Sequence, residues 1–147
     1  MPDTKNYFIK LSSNLNTLSL LTTRANKKES PRLNRNSKLF KTILKAVQDK
    51  KAENIVSLDL RKIPEAVADF FIICEATSKI QVKAIADNVE DRVKQYCLEL
   101  PYRHEGTAAS QWVLVDYVNV VVHIFLPEIR KFYRLEEMWS DAQMTEH

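Results

Sequence analysis

A chain of 147 residues with 45% apolar content can supply one domain with a real core plus an extension. Its net charge of +3 conceals a division: residues 1–38 hold eight Lys/Arg against two Asp/Glu, and residues 39–147 hold 14 against 17. The mildly acidic domain argues against a broad nucleic-acid face of interleaved cations and aromatics, and no apolar run of about 18 residues exists to form a transmembrane helix.

Residues 1–36 show no sustained period, and "KKESPRLNRNS" reads as linker. The segment is rich in Ser, Thr, Asn, Lys and Arg, a weak likeness to an organellar transit peptide; a basic disordered extension is the plainer reading. The folded domain is expected over residues 37–147. Ser37 is the expected N-cap of an amphipathic helix in which Leu39, Phe40, Ile43, Leu44 and Val47 recur at helical spacing, with Lys50 and Lys51 in its last turn. "NIVSLDL" (54–60) reads as a strand, and Pro64 marks the connection. "DFFIICE" (69–75) is a continuous apolar run, which fits a strand covered on both faces.

Ser78 with Gln81 has the pattern of a capping box that opens a long helix. Val82, Ile85, Val89, Val93 and Tyr96 form its apolar stripe, and it ends between Leu98 and Pro101. "YRHEG" predicts a short edge strand, and "QWVLVDY" and "NVVVHIF" predict two more, joined by a tight turn in which Asn119 takes the left-handed conformation. Pro127 opens a short helix and "RLEEMWSDA" adds another. The order α-β-β-α-β-β-β-α predicts an α/β (α+β) sandwich, a mixed sheet with helices packed on it. With helices on one side only, the other sheet face would be free, and Trp112 and Leu114 would share a face.

The residues that could carry chemistry do not assemble into a catalytic set. Asp59, Asp69 and Asp116 lie at strand ends, where carboxylates can hold Mg²⁺ for nucleotidyl transfer, but no D-x-D pair and no Gly-rich loop accompany them. His123 falls on the face of Val121 and Phe125 and reads as a hydrogen-bonded structural histidine, with no nucleophile or orienting carboxylate nominated beside it. Cys74 and Cys97 form no CxxC and no zinc spacing, and Cys74 reads as a small buried hydrophobe in a reducing compartment. Trp139 reads as core. Trp112 admits two readings, core residue or binding anchor. Gly106 is the single glycine of the chain.

The segments "SLDLR" (57–61), "ADFFIIC" (68–74), "ATS" (76–78), "VKAIAD" (82–87), "EG" (105–106), "WVLVDY" (112–117), "VVVHIF" (120–125) and "RKFYRLEEMWSDA" (130–142) occur in an order and spacing that resemble the ribosomal silencing factors, also called the Iojap family. The resemblance covers residues 38–142. Ala76 and Val118 stand where many members have Gly, and Gln81 where a His is common.

The resemblance implies a fold related to nucleotidyltransferases but without their active site. It implies binding to the large ribosomal subunit at its ribosomal protein numbered fourteen, which blocks joining of the small subunit and represses translation when nutrients are short. Organellar members are linked to large-subunit assembly instead. The expected anchors are Trp112 and Leu114, with Asp116 and Tyr117 as polar or rim contacts, and Trp112→Ala is expected to weaken binding while sparing the fold. No catalytic residue, cofactor, metal, membrane or small-molecule substrate is called for. A homodimer is left open, and the bacterial cytoplasm is the expected location.

Overall fold

The computed structural model describes residues 37–147; the reading of residues 1–36 as a disordered extension lies outside them. Its elements are α1 (Lys38–Asp49), β1 (Glu53–Asp59), β2 (Phe70–Glu75), α2 (Lys79–Cys97), β3 (Arg103–Glu105), β4 (Trp112–Asp116), β5 (Val120–Phe125), α3 (Pro127–Tyr133), α4 (Leu135–Met138) and β6 (Gln143–Glu146). The strands form one six-stranded mixed sheet in the order β3-β4-β5-β2-β1-β6. Only β2 and β5 pair in parallel; the remaining neighbours are antiparallel.

Local chemistry explains the helices. Ser37 Oγ accepts the Phe40 N–H at 3.2 Å and opens α1. Lys50 and Lys51 fall just past its end, and Lys51 turns left-handed at φ 59°. Ser78 Oγ accepts the Gln81 N–H at 3.1 Å, the first half of a capping box. The Gln81 side chain does not complete that box. It donates instead to the α1 carbonyl end at Lys50, 3.2 Å away, and so ties the two helices together. Further along, Asn88 donates to Ala46 O at 2.8 Å, and Cys97 Sγ lies 3.5 Å from Thr42 Oγ1, which fixes α1 and α2 as an antiparallel pair.

Alternation divides the sheet between two cores. Phe70, Ile72, Cys74, Val113, Val115, Val120, Val122 and Ile124 pack under α1 and α2. Phe71, Ile73, Trp112, Leu114, Val121 and Phe125 pack on the opposite face. The free face expected from the sequence is therefore absent. It is covered by Leu60, Ile63, Ala66 and Ala68 of the β1–β2 connection and by Leu135 and Trp139 of the C-terminal segment. Each large apolar side chain so buried contributes about 1.5–3 kcal/mol, enough to favour covering the face even with irregular chain.

Two further expectations change. The last helix is only Leu135–Met138, and a sixth strand, β6, follows and pairs with β1. His147 N donates to Ile55 O at 2.9 Å, and its ring meets Ser57 Oγ at 2.9 Å, which extends that pairing to the C-terminal residue. In the β4–β5 turn it is Val118, at φ 72°, and not Asn119 that adopts the left-handed conformation. The Asp116 carboxylate accepts the Val118 N–H at 2.7 Å and holds that turn. Arg130 of α3 then pins the C-terminal segment across the sheet, donating to Asn54 O (2.8 Å), Glu75 (3.0 Å) and Glu136 (2.7 Å).

Candidate functional site

The four residues expected to contact a partner do not form one exposed surface. Trp112 and Leu114 share the second core, with 9% and 1% of their surfaces exposed. Asp116 is fully buried, and Tyr117 lies in the opposite core, under the helices. What reaches solvent is a shallow groove of about 190 Å³ beside the edge strand β3, lined by Gly106, Ala109, Gln111, Trp112, Ile129 and Tyr133, with Leu114 at its base. The sequence nominated Trp112 and Leu114 for this place. It did not nominate Tyr133, Ile129 or Ala109, which arrive from segments whose packing only the fold reveals. The one available signal was the lone Gly106.

The groove is rigid for identifiable reasons. The Trp112 ring stacks on Phe125 at 4.8 Å between centroids and meets Tyr133 at 5.0 Å. Its Nε1–H donates to His123 Nδ1 at 3.1 Å. His123 is thereby fixed as the neutral tautomer with hydrogen on Nε2, and burial pushes its pKa down to about 3. It is the structural histidine that the sequence suggested. Gly106 sits at φ +82°, where a Cβ would stand 2.0 Å from the Trp112 carbonyl oxygen. Only glycine lets the chain pass so close to that strand.

A buried ion cluster flanks the groove. Arg103 lies between Glu105, 2.6 Å from its Nη1, and Asp116, 3.4 Å from its Nε. Burial raises the Glu105 pKa, opposed by Arg103 and reinforced by Asp116. For Tyr117, burial and then the charges of Glu90 and Glu99 push the phenol far above its ordinary range.

The three strand-end carboxylates considered for Mg²⁺ do not come together as one ligand group. Asp59 is held by Arg61, with Nε at 2.9 Å and Nη2 at 2.7 Å. Asp116 is bound to Arg103 and to the Val118 N–H. Asp69 is buried at the start of β2, with no hydrogen-bond partner on Oδ1 among the described residues. No group of three or more potential metal ligands occurs among the described residues. Among the same residues, no helix is long and apolar enough to cross a membrane.

Comparison with known proteins places this architecture. The family model described as "Ribosomal silencing factor during starvation" matches residues 33–147. The chain belongs to the ribosomal silencing factor family. It is similar to Ribosomal silencing factor RsfS of Halalkalibacterium halodurans, 40% identical over 111 residues that cover 76% of this chain and 93% of that relative. It is also similar to Mitochondrial assembly of ribosomal large subunit protein 1 of Mus musculus, 34% identical over 95 residues, covering 60% of this chain and 40% of that one. A crystal structure of a Chromobacterium violaceum protein superposes with a TM-score of 0.66 at 33% identity, covering 69% of this chain and 83% of that one. The family match spans the groove, the Arg103 cluster and both cores.

Proposed function

We propose that this silencing-factor family member acts without chemistry, by occlusion. It binds the large ribosomal subunit at the ribosomal protein numbered fourteen, blocks association with the small subunit and represses translation under nutrient limitation. The observation that carries the reading is the family match over residues 33–147. The site geometry supports it: Asp59 and Asp116 are engaged by Arg61, Arg103 and the β4–β5 turn and Asp69 is buried, while the groove beside Trp112 offers aromatic and aliphatic surface on a rigid sheet. We read the scaffold as nucleotidyltransferase-like without a catalytic centre, and the N-terminal 36 residues as an extension to a domain spanning residues 37–147.

Trp112 and Leu114 would form the groove's wall and base, and Tyr133 and Ala109 its rim. Asp116 would act through Arg103 and the β4–β5 turn, and Tyr117 from the opposite core. A specific protein interface buries about 1,600 Å² in total, so the groove would be the centre of a wider contact. The bacterial relative favours the cytoplasm as the location. The mitochondrial relative, whose name assigns it to large-subunit assembly, motivates assembly factor as the second reading.

Co-sedimentation with isolated large and small subunits tests the proposal. The expected result is binding to the large subunit alone, weakened at least about tenfold by Ala109→Arg, which puts a bulky cation on the exposed rim. Sedimentation with neither subunit refutes the reading. Undiminished binding of Ala109→Arg moves the site away from the groove.

A further inference from the structure

The sequence shows no basic face in the domain because the relevant cations come from two helices: Lys41 and Lys45 lie one turn apart on α1, and Arg92 lies on α2. The antiparallel α1–α2 pair brings them together. Lys41 and Lys45 of α1 and Arg92 of α2 line a cleft of about 260 Å³ that also contains Thr42, Ala46 and Tyr96. Lys38 is exposed at the start of α1. The Lys45 and Arg92 side chains are 74% and 40% exposed. Asp49 is the acid between them, 3.1 Å from Lys45 and 3.7 Å from Arg92.

Tyr96 departs from the sequence reading in the same place. It was expected in the buried stripe of α2, yet it is 46% exposed, and the Arg92 guanidinium lies 5.9 Å from its ring centroid. A cationic cleft with an exposed aromatic ring matches the chemistry of single-stranded nucleic acid, in which phosphates meet Lys/Arg and a base stacks on the ring. The chain outside the described residues adds to this. Residues 1–36 hold seven Lys/Arg against two Asp/Glu and join the domain at Ser37, one helical turn before Lys41, whose N–H donates to Ser37 O at 3.1 Å. The rest of the domain is acidic in balance, so this cleft is a local exception to its charge.

We propose that the α1–α2 cleft is an RNA-backbone contact, with Lys41, Lys45 and Arg92 meeting phosphates and Tyr96 stacking on an unpaired base. The inference deepens the ribosome-binding reading and rests on it only for the source of the RNA. The cleft lies on the sheet face opposite the Trp112 groove, so the two contacts are separable by mutation.

The test uses the full chain and a fluorescent single-stranded RNA of about 12 nucleotides, titrated by anisotropy from about 50 to 200 mM KCl. Lys41→Gln/Lys45→Gln/Arg92→Gln is expected to reduce the slope of log affinity against log salt by about 2, since each phosphate contact contributes about 0.7 on single strands. Tyr96→Ala is expected to lose about tenfold in affinity with an unchanged slope. Circular dichroism confirms that these surface variants fold. Failure of the wild-type chain to bind RNA overturns the proposal, and so does a triple variant with wild-type slope and affinity. Binding that survives in the triple variant but vanishes on deleting residues 1–36 overturns it in favour of the extension. Preference for anionic lipid vesicles over RNA also overturns it. Because naked RNA is the probe, the result stands whether or not the subunit co-sedimentation succeeds.

Discussion

Replacing Gly106 with alanine examines how the groove is built, because two independent penalties fall on one methyl group. The backbone at Gly106 has φ +82°, and the added Cβ would lie 2.0 Å from the Trp112 carbonyl oxygen. An L-residue in left-handed backbone costs about 1–2 kcal/mol. Forcing a methyl into packed backbone costs about 1–3 kcal/mol more, because β4 must shift. Alanine returns about 0.4–1 kcal/mol by restricting the unfolded chain. The expected net loss is therefore about 1–4.5 kcal/mol. At about 4 °C per kcal/mol for a domain of this size, the melting temperature should fall by about 4–18 °C. Urea unfolding should show a lower midpoint at unchanged m-value, while Ala108→Ser, on the exposed part of the same loop, stays within about 0.5 kcal/mol of wild type. A Gly106→Ala loss below about 1 kcal/mol would refute the close approach of Gly106 to Trp112. Large-subunit binding should weaken in the same variant at temperatures where it remains folded, because Trp112 moves with its carbonyl.

The other predictions concern the surroundings of Trp112. Trp112→Ala should cost about 3–5 kcal/mol of stability, since it removes the ring packed on Phe125 and Tyr133; this corrects the expectation that the fold would be spared, and a wild-type urea midpoint would restore that expectation. Trp112→Phe keeps most of the ring but deprives His123 Nδ1 of its donor, for a loss of about 1–3 kcal/mol in the same assay. His123 has a folded pKa near 3, below the ordinary value of 6.5, so the unfolded chain takes up the proton first on acidification. Its contribution is complete above about pH 6.5 and is lost toward pH 3 with a slope approaching about 1.4 kcal/mol per pH unit; ring NMR shifts that titrate near pH 6 would contradict this. Asp116→Ala should cost about 1–3 kcal/mol in thermal melts, because it leaves the buried Val118 N–H without the carboxylate and removes one of the two acids beside Arg103, with Glu105 still in place; a wild-type melting temperature would contradict this.

The helices and five of the six strands were legible because their signals are local. Ser37 and Ser78 cap as their side chains dictate, and the stripe Val82–Ile85–Val89–Val93 is buried as its spacing requires. The sheet's second face was misread, although the sequence held the contrary evidence. Phe70–Cys74 and Val120–Phe125 are apolar on both alternating sets, which a one-sided sheet would not tolerate. The covering chain, residues 60–69, has no period, because Leu60, Ile63 and Ala66 bury themselves from irregular backbone. β6 was missed for a similar reason: Gln143–Glu146 lies at a sheet edge, is mostly exposed, and is specified by its pairing with β1 and not by its own pattern. Of the candidate groove, Trp112 and Leu114 share one sheet face as their alternation requires, but that face is covered, and Tyr133 and Ile129, which line the groove with them, are near them only in the folded chain.

Strongly shifted pKa values are often used to locate catalytic groups, and here the physical cause of each shift separates chemistry from packing. Cys74 is pushed up to about 12 and His123 down to about 3, both chiefly by burial. Each is thereby held in its neutral form, the thiol and not the nucleophilic thiolate, and neither lines the groove beside Trp112. A catalytic group needs a shift toward its working form, a charged or polar partner that produces it, and access to substrate. The buried and half-buried charges that have close partners, Arg103 with Glu105 and Asp116, and Arg130 with Glu75 and Glu136, are fastened in cross-element ties. Those ties hold the edge strand, the hairpin turn and the C-terminal segment in fixed relation, the property that the proposed occlusion would require of a scaffold.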